Sequence, residues 1–97
     1  MLSFLPKTSQ QVMAELSVKF KQRRKSLSYT QKQLSERSGV SFGSIKRFET
    51  TGQVSLESLL KIALVLECLD DFEGVCKISE NQPKSINDVL GWDNKVE

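Results

Sequence analysis

The 97-residue sequence has no histidine, two cysteines, two prolines and one tryptophan, and no apolar run that approaches a membrane span. Each scarcity closes a class of function. Without histidine, and with Cys68 and Cys76 eight residues apart and lacking companion ligands, neither a zinc site nor a Cys/His nucleophile can be assembled. No glycine-rich phosphate loop is present, and the acids, such as Asp70 and Asp71, read as solvated helix residues, so neither an enzyme nor a cofactor is expected. Two cysteines are too few for a secreted disulfide scaffold; both are expected in or near the core as small hydrophobes, in a reducing, cytoplasmic setting. The run Leu2, Phe4, Leu5 is too short for a signal-peptide core and has no basic leader.

What is present is charge, unevenly spread. Residues 1–50 hold ten Lys/Arg against three Asp/Glu, and residues 51–97 hold four against nine, so an overall +2 conceals +7 in the first half and −5 in the second. A chain of this length makes one domain with a modest core, too small for a deep cleft between subdomains. Positive charge gathered in half of so small a domain suits a polyanion, while the acidic half repels DNA or attracts a basic protein.

The basic half contains TQKQLSERSGVSFGSIKRF, from Thr30 to Phe48. Thr30 is an N-cap with Gln33 at the capping-box return position, which predicts a helix from Gln31. Leu34 supplies its apolar face, Ser35 is small enough to let a second helix pass, and Gly39 stands where the chain must stop at positive φ. Ser41 then caps a second helix in which Ile45 and Phe48 share one face, leaving Phe42, Gly43, Ser44, Lys46 and Arg47 along its other sides. Two short helices hinged at a glycine, the second offering basic side chains outward, make the layout of a DNA-reading element.

The flanking chain supplies a scaffold. Val12, Leu16 and Phe20, with Met13 beside them, predict an amphipathic helix from Ser9 to Lys25. Arg23, Arg24 and Lys25 crowd its last turn, either as a solvated end complementing the helix dipole or with one of them, Arg24 the candidate, on a phosphate. Tyr29 is placed as a hydrophobic staple. Thr50 to Val54 read as a turn, and Ser55 caps a strongly apolar helix, LESLLKIALVLECL, with Leu59, Leu60 and Ala63 toward the core. A fifth short helix, Phe72 to about Lys77, would turn Val75 and Cys76 inward. Beyond a polar linker, SINDVLGW offers Ser85 as a cap and Ile86, Val89, Leu90 and Trp92 as an apolar set for an extra helix too short to stand alone; the expectation is that it docks on its own domain, on a second copy or on another protein, or is disordered when free. The expected architecture is all-α: an arm over 1–8, a five-helix domain over 9–77, and a tail over 78–97.

Together, Phe20, Arg23, Arg24, Leu27, Tyr29, Thr30, Gln31, Leu34, Gly39, Val40, Ser41, Ile45, Phe48 and Glu49 resemble the Xre/Cro family of helix-turn-helix proteins, the group of the lambdoid phage repressors, and SLESLLKIALVL is similar to that family's fourth helix. The resemblance covers about Ser9 to Lys77. It implies a five-helix domain whose third helix reads the major groove of double-stranded DNA, with base contacts on Phe42, Gly43, Ser44, Lys46 and Arg47 and phosphate contacts on Thr30, Gln31, Ser41 and Arg24. Family members often carry amide side chains at the first two recognition positions, so Phe42 and Gly43 favour apolar or close-backbone contact there. The implied function is a sequence-specific transcriptional regulator, a repressor acting as a homodimer on a palindromic operator. Small members also resemble HipB-type antitoxins, which bind their own promoter and a toxin, and the fold further serves protein-bridging cofactors; the surface for a dimer or such a partner would include Ile86, Val89, Leu90 and Trp92.

Overall fold

A computed structural model describes residues 7–78. Four α-helices, α1 (Ser9–Ser26), α2 (Gln31–Ser38), α3 (Phe42–Thr51) and α4 (Leu56–Val65), are followed by a 3-10 helix (Leu69–Gly74), and no strand occurs among the described residues. The all-α expectation holds. Each α-helix begins on a hydroxyl: Thr8, Thr30, Ser41 and Ser55 all accept a backbone N–H three residues on. Thr8 and Thr30 complete reciprocal capping boxes with Gln11 and Gln33.

The helices close around Phe20, Leu34, Val40, Ile45, Phe48, Leu59, Ile62, Ala63 and Leu66. Phe20 meets Phe48 edge to face at 5.5 Å, which ties α1 to α3. The pair α2 and α3 is held from behind, by α1 on α3 and by α4 on α2. Burying one large apolar side chain contributes about 1.5–3 kcal/mol. The fully buried Leu34, Ile45, Ile62 and Leu66 come from α2, α3, α4 and the end of α4, so this burial fixes the reading pair to its support.

The helix ends depart from the sequence expectations. α3 runs through Thr50 and Thr51, whose hydroxyls donate to the carbonyls of Lys46 and Arg47 (2.7 Å each), and stops at Gly52, which is left-handed with φ 83°. α2 stops likewise at Gly39, φ 79°. α4 is shorter than LESLLKIALVLECL: it ends at Val65, and Glu67 takes a left-handed φ of 63°. Arg23 stabilises that exit by donating Nε to the Leu66 carbonyl (2.8 Å) and Nη2 to that of Glu67 (3.1 Å). After α1, Ser28 takes a similar conformation, φ 66°. The fifth helix begins earlier than Phe72 and is 3-10, and Phe72 packs toward Phe20 (6.4 Å). Val75 and Cys76 are exposed and do not face inward, whereas Cys68 packs against the core, where burial pushes its thiol pKa up. Val12 is also exposed, leaving Leu16 and Phe20 to carry the apolar face of α1. The expected tail contacts Ile86, Val89, Leu90 and Trp92 lie outside the described residues.

Candidate nucleic-acid interface

Glu49, in the third turn of α3, organises the base of the interface. Its carboxylate accepts from Arg24 Nε (2.7 Å) and Nη2 (3.0 Å), a two-pronged pair, and from Gln31 Nε2 (2.8 Å). Arg24 Nη1 donates to the Tyr29 carbonyl (2.8 Å), just ahead of the α2 cap. The Arg24 and Glu49 side chains are 8% and 4% exposed. Burial raises the Glu49 pKa, but the hydrogen bonds from Arg24 and Gln31 outweigh it and hold the carboxyl below its usual value.

This geometry corrects the expectation for Arg24. Buried and spent on Glu49 and Tyr29, its guanidinium has no face left for a phosphate. Arg23 is engaged on the end of α4, so of the three cations closing α1 only Lys25 stands without such an anchor among the described residues. Thr30 and Gln31 stay together at the start of α2: the Thr30 hydroxyl caps Gln33 N–H (3.0 Å), and Gln31 is oriented by Glu49. The first amides of a helix lack intrahelical acceptors, which makes the start of α2 a place that suits a phosphate. At the corresponding end of α3, the Ser41 Oγ accepts from Ser44 N–H (3.1 Å) and donates to Ser44 Oγ (2.8 Å).

Along α3 the division into two faces is sharp. Ile45 and Phe48 are buried, while Phe42, Gly43, Lys46 and Arg47 are exposed and Ser44 is half-buried. Phe42 is 45% exposed and carries Lys46 Nζ 5.1 Å above its ring, so these two side chains form one surface. A Cβ on Gly43 would meet nothing within 4 Å, so no steric demand of the fold requires glycine there. Arg47 Nε donates to Gln53 Oε1 (2.9 Å), and Arg47 Nη2 donates to the same oxygen. Gln53 is itself held by its N–H on Thr51 Oγ1 (3.1 Å).

Gln53 is a residue that sequence reasoning missed. The available signal was its place directly after the helix-ending Gly52, where the chain doubles back along the last turn of α3. Its oxygen occupies one edge of the Arg47 guanidinium and leaves the Nη1 side open.

A family model described as helix-turn-helix matches residues 20–70, more than half of the chain and the whole span from Phe20 through α4. The protein belongs to the Xre/Cro-type helix-turn-helix family. No curated protein and no solved structure matches it with significance. For an Xre/Cro-type protein, α2 and α3 are the helix-turn-helix pair, and the chain is a DNA-binding transcription regulator. The family is a DNA-binding regulatory one and not an enzymatic one. No described helix is long and apolar enough to cross a membrane.

Proposed function

We propose that this Xre/Cro-type protein is a repressor that reads operator DNA as a homodimer, with α3 in the major groove. The observation that carries the reading is the outer face of α3, where Phe42, Ser44, Lys46 and Arg47 stand clear of the buried Ile45 and Phe48 and Arg47 is already aimed by Gln53. Arg47 presents its open edge to a guanine, Lys46 reaches a guanine or a phosphate, Ser44 bonds either, and Phe42 lies against a thymine methyl. Gly43 lets the backbone approach the base edges; its lack of any structural demand inside the domain supports that role. Thr30, Gln31 and Ser41, at the starts of α2 and α3, hold phosphates and set the register. A homodimer follows from the few bases one module can touch, and the reading carries with it a cytoplasmic location, nucleoid-associated when bound.

Selection of bound sequences from a random duplex pool at near-physiological salt tests the reading. Enrichment of an inverted repeat supports a dimeric, sequence-reading repressor; a folded protein that enriches nothing refutes it. A second reading, an autorepressing antitoxin or a bridging cofactor with a protein partner, would use α4, whose Leu56 and Leu64 are 67% and 64% exposed. Capture of a toxin-like partner that is lost on Leu64→Asp, with DNA binding retained, would support it.

A further inference from the structure

The first turn of α3 has little with which to hydrogen-bond a base. Phe42 has no polar side-chain atom, Gly43 has no side chain, and the Ser41 hydroxyl donates to that of Ser44 (2.8 Å). Ser44 keeps one hydroxyl hydrogen, but two residues at about 3.6 per turn set it on roughly the opposite side of the helix from Phe42. What this turn offers outward is the Phe42 ring, 45% exposed and outside the core. Beside it Gly43 offers only backbone, with nothing within 4 Å of where its Cβ would stand. Lys46, one turn on, holds Nζ 5.1 Å from the ring centroid, a cation–π contact that occupies one face and leaves the other face and the edge for a partner. A methyl group at van der Waals distance on that second face would stand roughly 9 Å from the ammonium. Lys46 is then out of reach of the base that carries the methyl, and its donors go to a neighbouring base pair or a phosphate.

We infer that Phe42 reads the 5-methyl group of a pyrimidine and not the base that bears it, so that 5-methylcytosine serves as well as thymine and operator binding responds to cytosine methylation. Such readout rests on the proposed placing of α3 in the major groove, where thymine shows a methyl group and the O4 acceptor and cytosine shows the N4 donor with a bare C5 edge. Telling O4 from N4 takes a hydrogen-bonding group, and neither Phe42 nor Gly43 carries one on a side chain. The methyl of 5-methylcytosine occupies the same place in the groove as that of thymine, so the ring meets the same surface on both. A ring already held on one face by Lys46 also loses less freedom on binding than a loose side chain, which favours a contact as small as one methyl group.

The test uses the operator obtained by selection, with each pyrimidine position of one half-site compared with and without its 5-methyl group: thymine against uracil, and 5-methylcytosine against cytosine. Titration of the full chain at one salt concentration should find a position where the methyl strengthens binding about fourfold in both comparisons, the worth of one buried methyl group. Both differences should vanish in Phe42→Ala, with helical circular dichroism retained, and should persist in Arg47→Ala. A selected operator on which no methyl group matters overturns the inference, as does an effect that survives Phe42→Ala. A thymine–uracil difference without a matching 5-methylcytosine–cytosine difference also overturns it, because the base would then be read together with its methyl. A folded protein that selects no operator overturns the proposed function itself, and the methyl readout with it.

Discussion

Replacing Glu49 with alanine removes the carboxylate that Arg24 and Gln31 share and strands a guanidinium that is 8% exposed. Breaking a buried pair from one side costs about 3–5 kcal/mol, because the remaining charge keeps its desolvation penalty and loses its partner. Domains of this class hold about 5–15 kcal/mol in all. At about 4–8 °C per kcal/mol for a domain of 60–100 residues, Glu49→Ala should lower the melting temperature by at least about 12 °C. Replacing both partners with apolar residues of similar size, Arg24→Met with Glu49→Leu, should recover most of that loss, since neither charge is then buried. Acid adds an independent arm. The Glu49 pKa is lower folded than its ordinary 4.5, so its contribution is fully present above that value and disappears as pH falls through the folded value. Urea unfolding followed by circular dichroism, at neutral pH and down an acid series, measures both arms. A Glu49→Ala cost under about 1 kcal/mol, or a variant and parent that lose stability in parallel as pH falls, would refute the argument.

The interface and the turns give further expectations. Arg47→Ala should cost about 1–3 kcal/mol on the selected site and relax one base position, whereas Gln31→Ala should weaken all duplexes alike; titration of matched and mismatched duplexes separates the two. Gln53→Ala should reduce the preference at the same base position as Arg47→Ala by about 0.5–1.5 kcal/mol, the cost of ordering a long side chain, and should add nothing in the Arg47→Ala background. Equal weakening on all duplexes would contradict that. Gly39→Ala and Gly52→Ala both force alanine into left-handed backbone, at about 1–2 kcal/mol. Gly52→Ala should be the worse by thermal melting, because its Cβ would stand 3.0 Å from the Met13 backbone carbon and oxygen, while the space at Gly39 is open.

The helix-turn-helix was legible because its signals are local. Thr30 with Gln33, Gly39, and Ser41 ahead of Ile45 and Phe48 each act within a turn or two of chain, and each is found where the spacing put it. What failed depended on partners distant in sequence. Arg24 looked like one of three cations at a helix end, and only the approach of Glu49, 25 residues away, makes it a buried strut. The exit of α4 is held by Arg23, 43 residues before Leu66, and the 3-10 helix after it brings Phe72 to Phe20. Thr50 and Thr51 read as turn residues because the segment to Val54 holds Gly52 and little apolar content, but α3 continues through both to Gly52, with their hydroxyls bonded back to the preceding turn. That extension brings Gln53 alongside Arg47, so the missed residue and the misjudged helix end have one cause.

The two kinds of helix ending described above divide the domain into parts with different freedom to evolve. α2 and α3 finish on glycine, where the left-handed turn is free of Cβ strain, and Gly52 has no room for a substitute. α1 and α4 are followed by Ser28 and Glu67 in the same unfavourable region, each carrying a penalty that glycine would relieve. Mutation can therefore raise the stability of the scaffold at positions that touch neither the recognition helix nor its cap. The margin so gained would let the outer face of α3 accept destabilising changes and drift toward new operators while the support behind it stays intact.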